Sequence, residues 1–351
     1  MRSPVSWTSR ARSAATSAGT GSGRLAAGVP SSAEYVKTPT RSNRATSRNS
    51  RTASEAASVS RREAWSRRLP LLPAFIYVFL VTQIPFVLTI YYSFFSWNLL
   101  KPGSFQFAWL ENYAALLTNE SIRIAVWNTV LLTVAVIGIS VVLGLAVAMI
   151  LNSEVFGKGL MRTLMIAPFL IMPTAGALIW KDTLLNPLFG LLPFLLTPFG
   201  LGRVDWVNQF PMVTVVAVEV WRWTPFMMLI ILAGLQSQNP EVLEAARVDG
   251  ANAIQQFVRI TLPLVRPFIE LGALLGSLFV VQTYDSIFML TYGGPGEDTT
   301  NIPFLLYLVA FQGYNIGQAS AIGVVAVIFT TIIATLALRT LFSIFQIEAR
   351  R

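Results

Sequence analysis

The chemistry-bearing side chains of this chain are few and sit among long apolar runs. Glu219 and Arg222 stand three apart in V-E-V-W-R-W-T-P-F, with Trp221 between them. On a helix that spacing puts the two charges on one face. Gln282, Tyr284 and Asp285 form a second group, in Q-T-Y-D. Carboxylates and amides exchange several hydrogen bonds with hydroxyl groups, and an aromatic ring covers a C–H face. The second group therefore suits a polyhydroxylated ligand. Glu219 with Arg222 reads most simply as an intrahelical pair, with a place along a substrate path as the alternative. Glu270, near Arg266 and Arg259, reads as a structural ion pair. Charges inside apolar spans are costly and face the protein interior or a water-filled path. Gly293-Gly294-Pro295-Gly296 reads as a turn between elements rather than a phosphate nest.

Other chemistries are excluded by composition. The chain contains no Cys and no His. It can form no disulfide, no thiolate nucleophile, no Cys/His zinc site and no histidine base. No paired acidic motif supports a carboxylate metal site. No G-x-x-x-x-G-K-[ST] phosphate loop occurs, so any ATP hydrolysis has to come from another chain.

The elements that would position these groups are membrane helices. Of 351 residues, 54% are hydrophobic and only 12% are charged. A soluble domain carries about twice that charge. Runs of about 20 apolar residues are long enough to cross a bilayer. The expected spans are residues 71–95, 124–151, 163–180, 211–235, 267–290 and 319–342. Pro168 and Pro173 mark the third as a helix that bends. The net charge of +9 is not a nucleic-acid signal, because half of the Lys and Arg residues precede Leu69. Residues 1–66 are rich in Ser, Arg, Ala, Thr and Gly and read as a disordered tail. Three readings of that tail compete: a basic segment at anionic membrane lipid, an inert extension, or an over-extended reading frame. The membrane body is then 67–351.

Arg61, Arg62, Arg67 and Arg68 before the first span put that side in the cytoplasm. With an even number of spans both termini are cytoplasmic. Lys158, Arg162, Arg247, Arg259, Arg266, Arg339, Arg350 and Arg351 then fall inside. Lys101, Arg123, Lys181 and Arg203 fall outside, among acidic residues.

Between the fourth and fifth spans lies the longest charged, helix-prone segment, the loop 236–266. Asn239 suits an N-cap, Pro240 the first helical position, and Glu241 and Glu244 the positive helix end. Gly250 permits the left-handed residue that stops a helix. A second short helix is expected over about 253–259, ended by Pro263. Ala245 and Ala246 are small and let another surface approach the backbone.

Here a resemblance is explicit. Glu244-Ala245-Ala246, three residues, Gly250, nine residues, Ile260, one residue and Leu262-Pro263 resemble the EAA loop of ATP-binding-cassette importer permeases. The wording E-A-A-R-V-D-G-A, followed by F-V-R-I-T-L-P-L, is similar to the carbohydrate-type members. The segment from Phe105 to Tyr113 and the string I-W-x-x-x-L-x-N-P-x-x-G from Ile179 to Gly190 resemble them too. Ala108-Trp109 departs from their usual Gly-Leu. The likeness covers about residues 70–345.

The resemblance implies an all-α polytopic membrane protein with six transmembrane helices and a cytoplasmic coupling loop between spans four and five. It implies a non-enzymatic permease subunit in the bacterial inner membrane, paired with a second permease, two ATPase subunits and an extracytoplasmic solute-binding protein. The solute would be a sugar, oligosaccharide or polyol. ATP and Mg would be bound by the ATPase partners, with no cofactor in this chain. Glu244, Ala245, Ala246, Asp249, Gly250, Ile260, Leu262 and Pro263 would couple to the ATPase. Gln282, Tyr284, Asp285, Glu219, Trp221 and Arg222 would line the substrate path. The competing reading is an ion-coupled secondary transporter or channel using Glu219, Arg222 and Asp285 as coupling charges. It lacks a visible inverted repeat and has no use for the EAA loop.

Overall fold

The computed structural model describes residues 71–153, 157–200 and 204–348. The tail 1–66 with its boundary at 67, Arg61, Arg62, Arg67, Arg68, Arg203, Arg350, Arg351 and the side chain of Arg339 lie outside the described residues. One compact unit runs from Ala74 to Arg351; of the other, Met1–Pro73, only residues 71–73 are described.

Among the described residues the architecture is helical. α1 is Leu72–Ser93, α2 Glu111–Thr118 and α3 Glu120–Asn152. α4 is Lys158–Leu170, and α5, Pro173–Leu178, runs on through a π turn to Leu184. α6 is Leu191–Leu196, α7 Trp206–Gln209, α8 Pro211–Gln236 and α9 Pro240–Val248. α10 is Ala253–Val280, α11 Asp285–Leu290, α12 Ile302–Gln312 and α13 Ile316–Glu348. The strand structure is one antiparallel pair, β1 Phe95–Ser96 with β2 Gln106–Phe107, between α1 and α2.

Five of these helices, α1, α3, α8, α10 and the first part of α13, are long and apolar enough to cross a membrane. The pair α4 and α5 makes a sixth if counted as one span bent by 97°. The bend falls at Ile171 and Met172, between Pro168 and Pro173, whose missing N–H groups leave the ladder open there.

α8 is the centre of the bundle, and glycines let its neighbours come close. A Cβ on Gly144 of α3 would lie 2.7 Å from Met227 Cβ and 2.9 Å from the Met228 backbone nitrogen. One on Gly234 would lie 2.6 Å from the Phe268 ring, and one on Gly276 of α10 would lie 2.6 Å from Met227 Cε. Small residues at crossings are how membrane helices gain contact where burial alone offers little driving force. Met227, Met228, Ile231, Ala148 and Val265 fill the core between these crossings.

Two expectations about the fifth span are corrected. The second arm of the 236–266 loop is not a separate short helix. It is the start of α10, which runs unbroken from Ala253 to Val280. Pro263 is accommodated because Phe257–Thr261 forms a π turn, in which Leu262 N–H bonds back to Phe257 O. The wider turn shifts the ladder past a residue that cannot donate.

The span also does not reach residue 290 as a helix. α10 ends at Val280, the chain breaks over 281–284, and α11 starts afresh at Asp285. Asn301 Nδ2 donates to Thr283 O at 2.6 Å and so replaces a ladder bond lost at the break. The segment 292–301 is pinned rather than free. Asn128 Nδ2 donates to the carbonyls of Glu297 and Thr300, each at 3.0 Å, and Ser121 Oγ donates to Glu297 Oε1 at 2.6 Å.

Candidate functional site

The loop after α8 is built by its caps. Asn239 Oδ1 accepts from Glu241 N–H at 3.1 Å, and Pro240 opens α9. At the other end, Gly250 N–H donates to Arg247 O and Ala251 N–H to Ala246 O, both at 3.0 Å. That pair of bonds is a Schellman stop, and Gly250 takes the left-handed φ of +84° it needs. Asn252 and Gln255 then form a reciprocal capping box at the start of α10.

No residue of α9 is buried. Glu244, Ala245, Asp249 and Gly250 are exposed and Ala246 is half-buried. Ile260 and Leu262 are half-buried and Pro263 is exposed, all on α10 rather than on a separate arm. Val248 and Ile254, 88% and 74% exposed, flank the turn with apolar side chains.

A second cluster sits in the N-terminal half of α8. Arg222 Nη2 and Nε donate to Glu219 Oε2 at 2.7 and 3.2 Å. Ser286 Oγ of α11 donates to the other oxygen, Glu219 Oε1. The Glu219 side chain is 0% exposed and that of Arg222 17%. The Arg222 guanidinium also lies over the Trp223 ring, 5.5 Å from its centroid. A buried carboxylate needs this full set of partners, because desolvation of an ion is costly. The expected pair is therefore present, and it does more than hold one helix: it ties α8 to α11 across the break.

Ser286 was not singled out by sequence. Its pairing with Glu219 is tertiary, across 67 residues, and no local spacing signals it. Asn128, Thr129 and Asn301, which hold the 292–302 segment, were missed for the same reason.

The remaining path residues divide. Trp221 faces elsewhere: its ring packs 5.7 Å from Trp180 and lines an apolar cavity of about 740 Å³ between α3, α4 and α8, with Leu143, Leu164 and Pro168. Gln282 is exposed, and its amide donates to Leu278 O at 2.8 Å. Tyr284 is half-buried, with its ring 5.5 Å from Phe288 and 5.4 Å from Tyr307. Asp285 is exposed in the first turn of α11, one residue before Ser286. Gln282 and Tyr284 thus lie on the irregular segment between α10 and α11, and Asp285 opens the helix that carries the Glu219 partner Ser286. Glu270 keeps its expected partner, accepting from Arg266 Nε at 2.7 Å. Among the described residues no three His, Cys, Asp or Glu side chains group to hold a metal ion.

Apolar spans, a bent helix, an exposed capped turn and a buried ionic cluster define a multi-pass membrane protein. The chain matches the family described as binding-protein-dependent transport system inner membrane component over residues 140–347. It belongs to that family and is a permease subunit of such a transport system. It is 32% identical over 259 residues to the trehalose/maltose transport system permease protein MalF of Thermococcus litoralis, covering 73% of this chain and 86% of that one. It is 33% identical over 283 residues to the trehalose transport system permease protein SugA of Mycobacterium tuberculosis, covering 80% and 90%. A chain of a bacterial alginate ABC transporter, solved with a periplasmic protein carrying alginate pentasaccharide, has the same fold. The TM-score there is 0.67, at 24% identity, over 79% of this chain and 93% of that one.

Proposed function

We propose that this permease imports a sugar, oligosaccharide or polyol, driven by ATPase subunits that dock on α9 and the turn to α10. The observation that carries the coupling reading is the rigid, exposed Schellman corner at Gly250, with Ala245 and Ala246 beside it. Small side chains allow close docking, and Glu244 and Asp249 give the corner negative charge. The sugar class is supported by the relatives, whose names specify trehalose and maltose.

In this reading a second permease completes the path and a solute-binding protein delivers the solute at the end of α8 opposite the turn. ATP and Mg are held by the ATPase chains. Closure of those chains moves α9, and the motion passes into α10, which is continuous with the turn. The turn and both chain termini are cytoplasmic. Gln282, Tyr284 and Asp285 meet the solute at the break, while Glu219, Arg222 and Ser286 hold that break against α8.

Asp285→Ala tests the site. Loss of one charge-assisted hydrogen bond costs roughly 1.5–3 kcal/mol, or about 10- to 150-fold in affinity. Uptake of radiolabelled trehalose and maltose by cells producing the chain with its partner subunits is expected to fall accordingly, at unchanged membrane abundance. Normal uptake kinetics would leave Asp285 as a structural residue.

A further inference from the structure

Beyond Tyr284, a row of rings continues along α11 and α12. Tyr284 contacts Phe288 at 5.5 Å and Tyr307 at 5.4 Å between ring centroids. Phe288 contacts Tyr292 at 5.2 Å, and Tyr307 stacks on Phe311 at 5.5 Å. Phe304, 0% exposed, underlies them and touches Tyr292 at 5.5 Å and Tyr307 at 6.0 Å. The row emerges from the bundle: Tyr284, Phe288 and Tyr307 are half-buried, while Tyr292 and Phe311 are 48% and 66% exposed.

Two features separate this row from ordinary core packing and from a lipid-facing belt. A sealed core has no use for a ring left mostly exposed at its end, and aliphatic residues fill cores without hydroxyls. A membrane belt turns its hydroxyls to headgroups and water, whereas this row turns one toward groups of the chain itself. Gln312 Nε2 donates to the Tyr292 hydroxyl. Tyr292 also lines a polar cavity of about 270 Å³ with Lys181, Asp182, Asn186, Asp205 and Asn208. The row has two branches that join at Tyr284 beside Asp285: Phe288 and Tyr292 lead to these amides, carboxylates and ammonium group, and Tyr307 leads to the exposed Phe311, whose neighbour Gln312 bonds the Tyr292 hydroxyl.

We propose that Phe311, Tyr307, Tyr292 and Phe288 form a staging track for pyranose rings between the polar cavity and the site at Tyr284 and Asp285. The rings take the apolar C–H face of the sugar. The tyrosine hydroxyls, Gln312 and the cavity groups exchange hydrogen bonds with its hydroxyls. This rests on the sugar reading above and adds to it a second, outer binding region.

The test is uptake of radiolabelled trehalose at sub-saturating concentration by cells producing the full chain with its partner subunits, normalised to permease in the membrane. Phe311 is mostly exposed, so its replacement does not threaten the fold. Phe311→Leu and Tyr307→Leu keep apolar volume but remove the ring, and each is expected to lower uptake about 3- to 10-fold. Phe311→Trp is expected to keep it. Unchanged uptake in both Leu variants overturns the track and leaves the sugar reading standing. An equal loss in Phe311→Trp and Phe311→Leu shows that side-chain shape rather than aromaticity matters, and also overturns it. Wild-type cells that take up no member of a radiolabelled panel of sugars, oligosaccharides and polyols overturn the sugar reading and the track together.

Discussion

Glu219→Ala is expected to lower the unfolding midpoint of the purified chain more than any other single change at the α8–α11 contact. Removal of the carboxylate leaves Arg222, with its side chain only 17% exposed, without its charge partner. It also strips Ser286 Oγ of its acceptor. Breaking one side of a buried pair costs about 3–5 kcal/mol, most of it the burden of an uncompensated buried charge. The same logic makes the double replacement Glu219→Leu with Arg222→Met milder than the single one, since an apolar pair of similar volume carries no desolvation penalty. The measurement is thermal unfolding in detergent of the wild type, the single variant and the double variant. A single variant as stable as the wild type would show that the cluster does not hold α11 in place.

Gly250→Val and Ala246→Asp are expected to separate assembly of the membrane part from its control. No atom lies within 4 Å of a Cβ built on Gly250, so nothing is struck by the new side chain. The cost is conformational: a β-branched residue at φ +84° loses roughly 1–2 kcal/mol or reshapes the corner. That is too little to unfold the bundle and enough to move Asp249 and Ala251 off the Schellman geometry. Ala246→Asp instead places a bulky charge on the half-buried face of α9. Both variants should insert normally while the ATPase activity of the assembled complex stops responding to substrate-loaded binding protein. Full stimulation in both would mean that this corner carries no signal.

The capped turn was legible in the sequence because caps are local. Asn239, Pro240 and Gly250 each satisfy or free a backbone group within a few residues, and the structure uses all three as their chemistry suggests. The Glu219–Arg222 pair was legible for the same reason, since a three-residue spacing lies within one helical turn. Long apolar runs marked the long apolar helices, and Pro168 with Pro173 marked the bend between α4 and α5.

What failed was hydrogen bonding that residue types do not signal. Pro263 reads as a stop, but the π turn ending at Thr261 shifts the hydrogen-bond ladder and lets α10 continue. The run up to residue 290 reads as one helix, because apolar residues resume at Ile287 and the polar stretch 282–286 carries no Pro or Gly to break it. The break at 281–284 is held by Asn301 and by the Ser286–Glu219 bond, both from distant parts of the chain. Trp221 shares a stretch with Arg222, but it faces α4 and the apolar cavity instead of the ionic cluster. Polar residues held by tertiary partners leave no periodic trace.

The central claim is that the corner between α9 and α10 is a cytoplasmic docking surface for an ATPase. The chain has no native cysteine, so one can be placed at Val248, which is 88% exposed. The measurement is labelling of Val248→Cys by a membrane-impermeant maleimide, in intact cells, in inverted vesicles carrying the chain alone, and in inverted vesicles carrying the assembled complex. The account predicts no labelling in intact cells, full labelling of the chain alone in inverted vesicles, and protection when the ATPase subunits are bound. Labelling from outside intact cells, or equal labelling with and without the ATPase subunits, would contradict it.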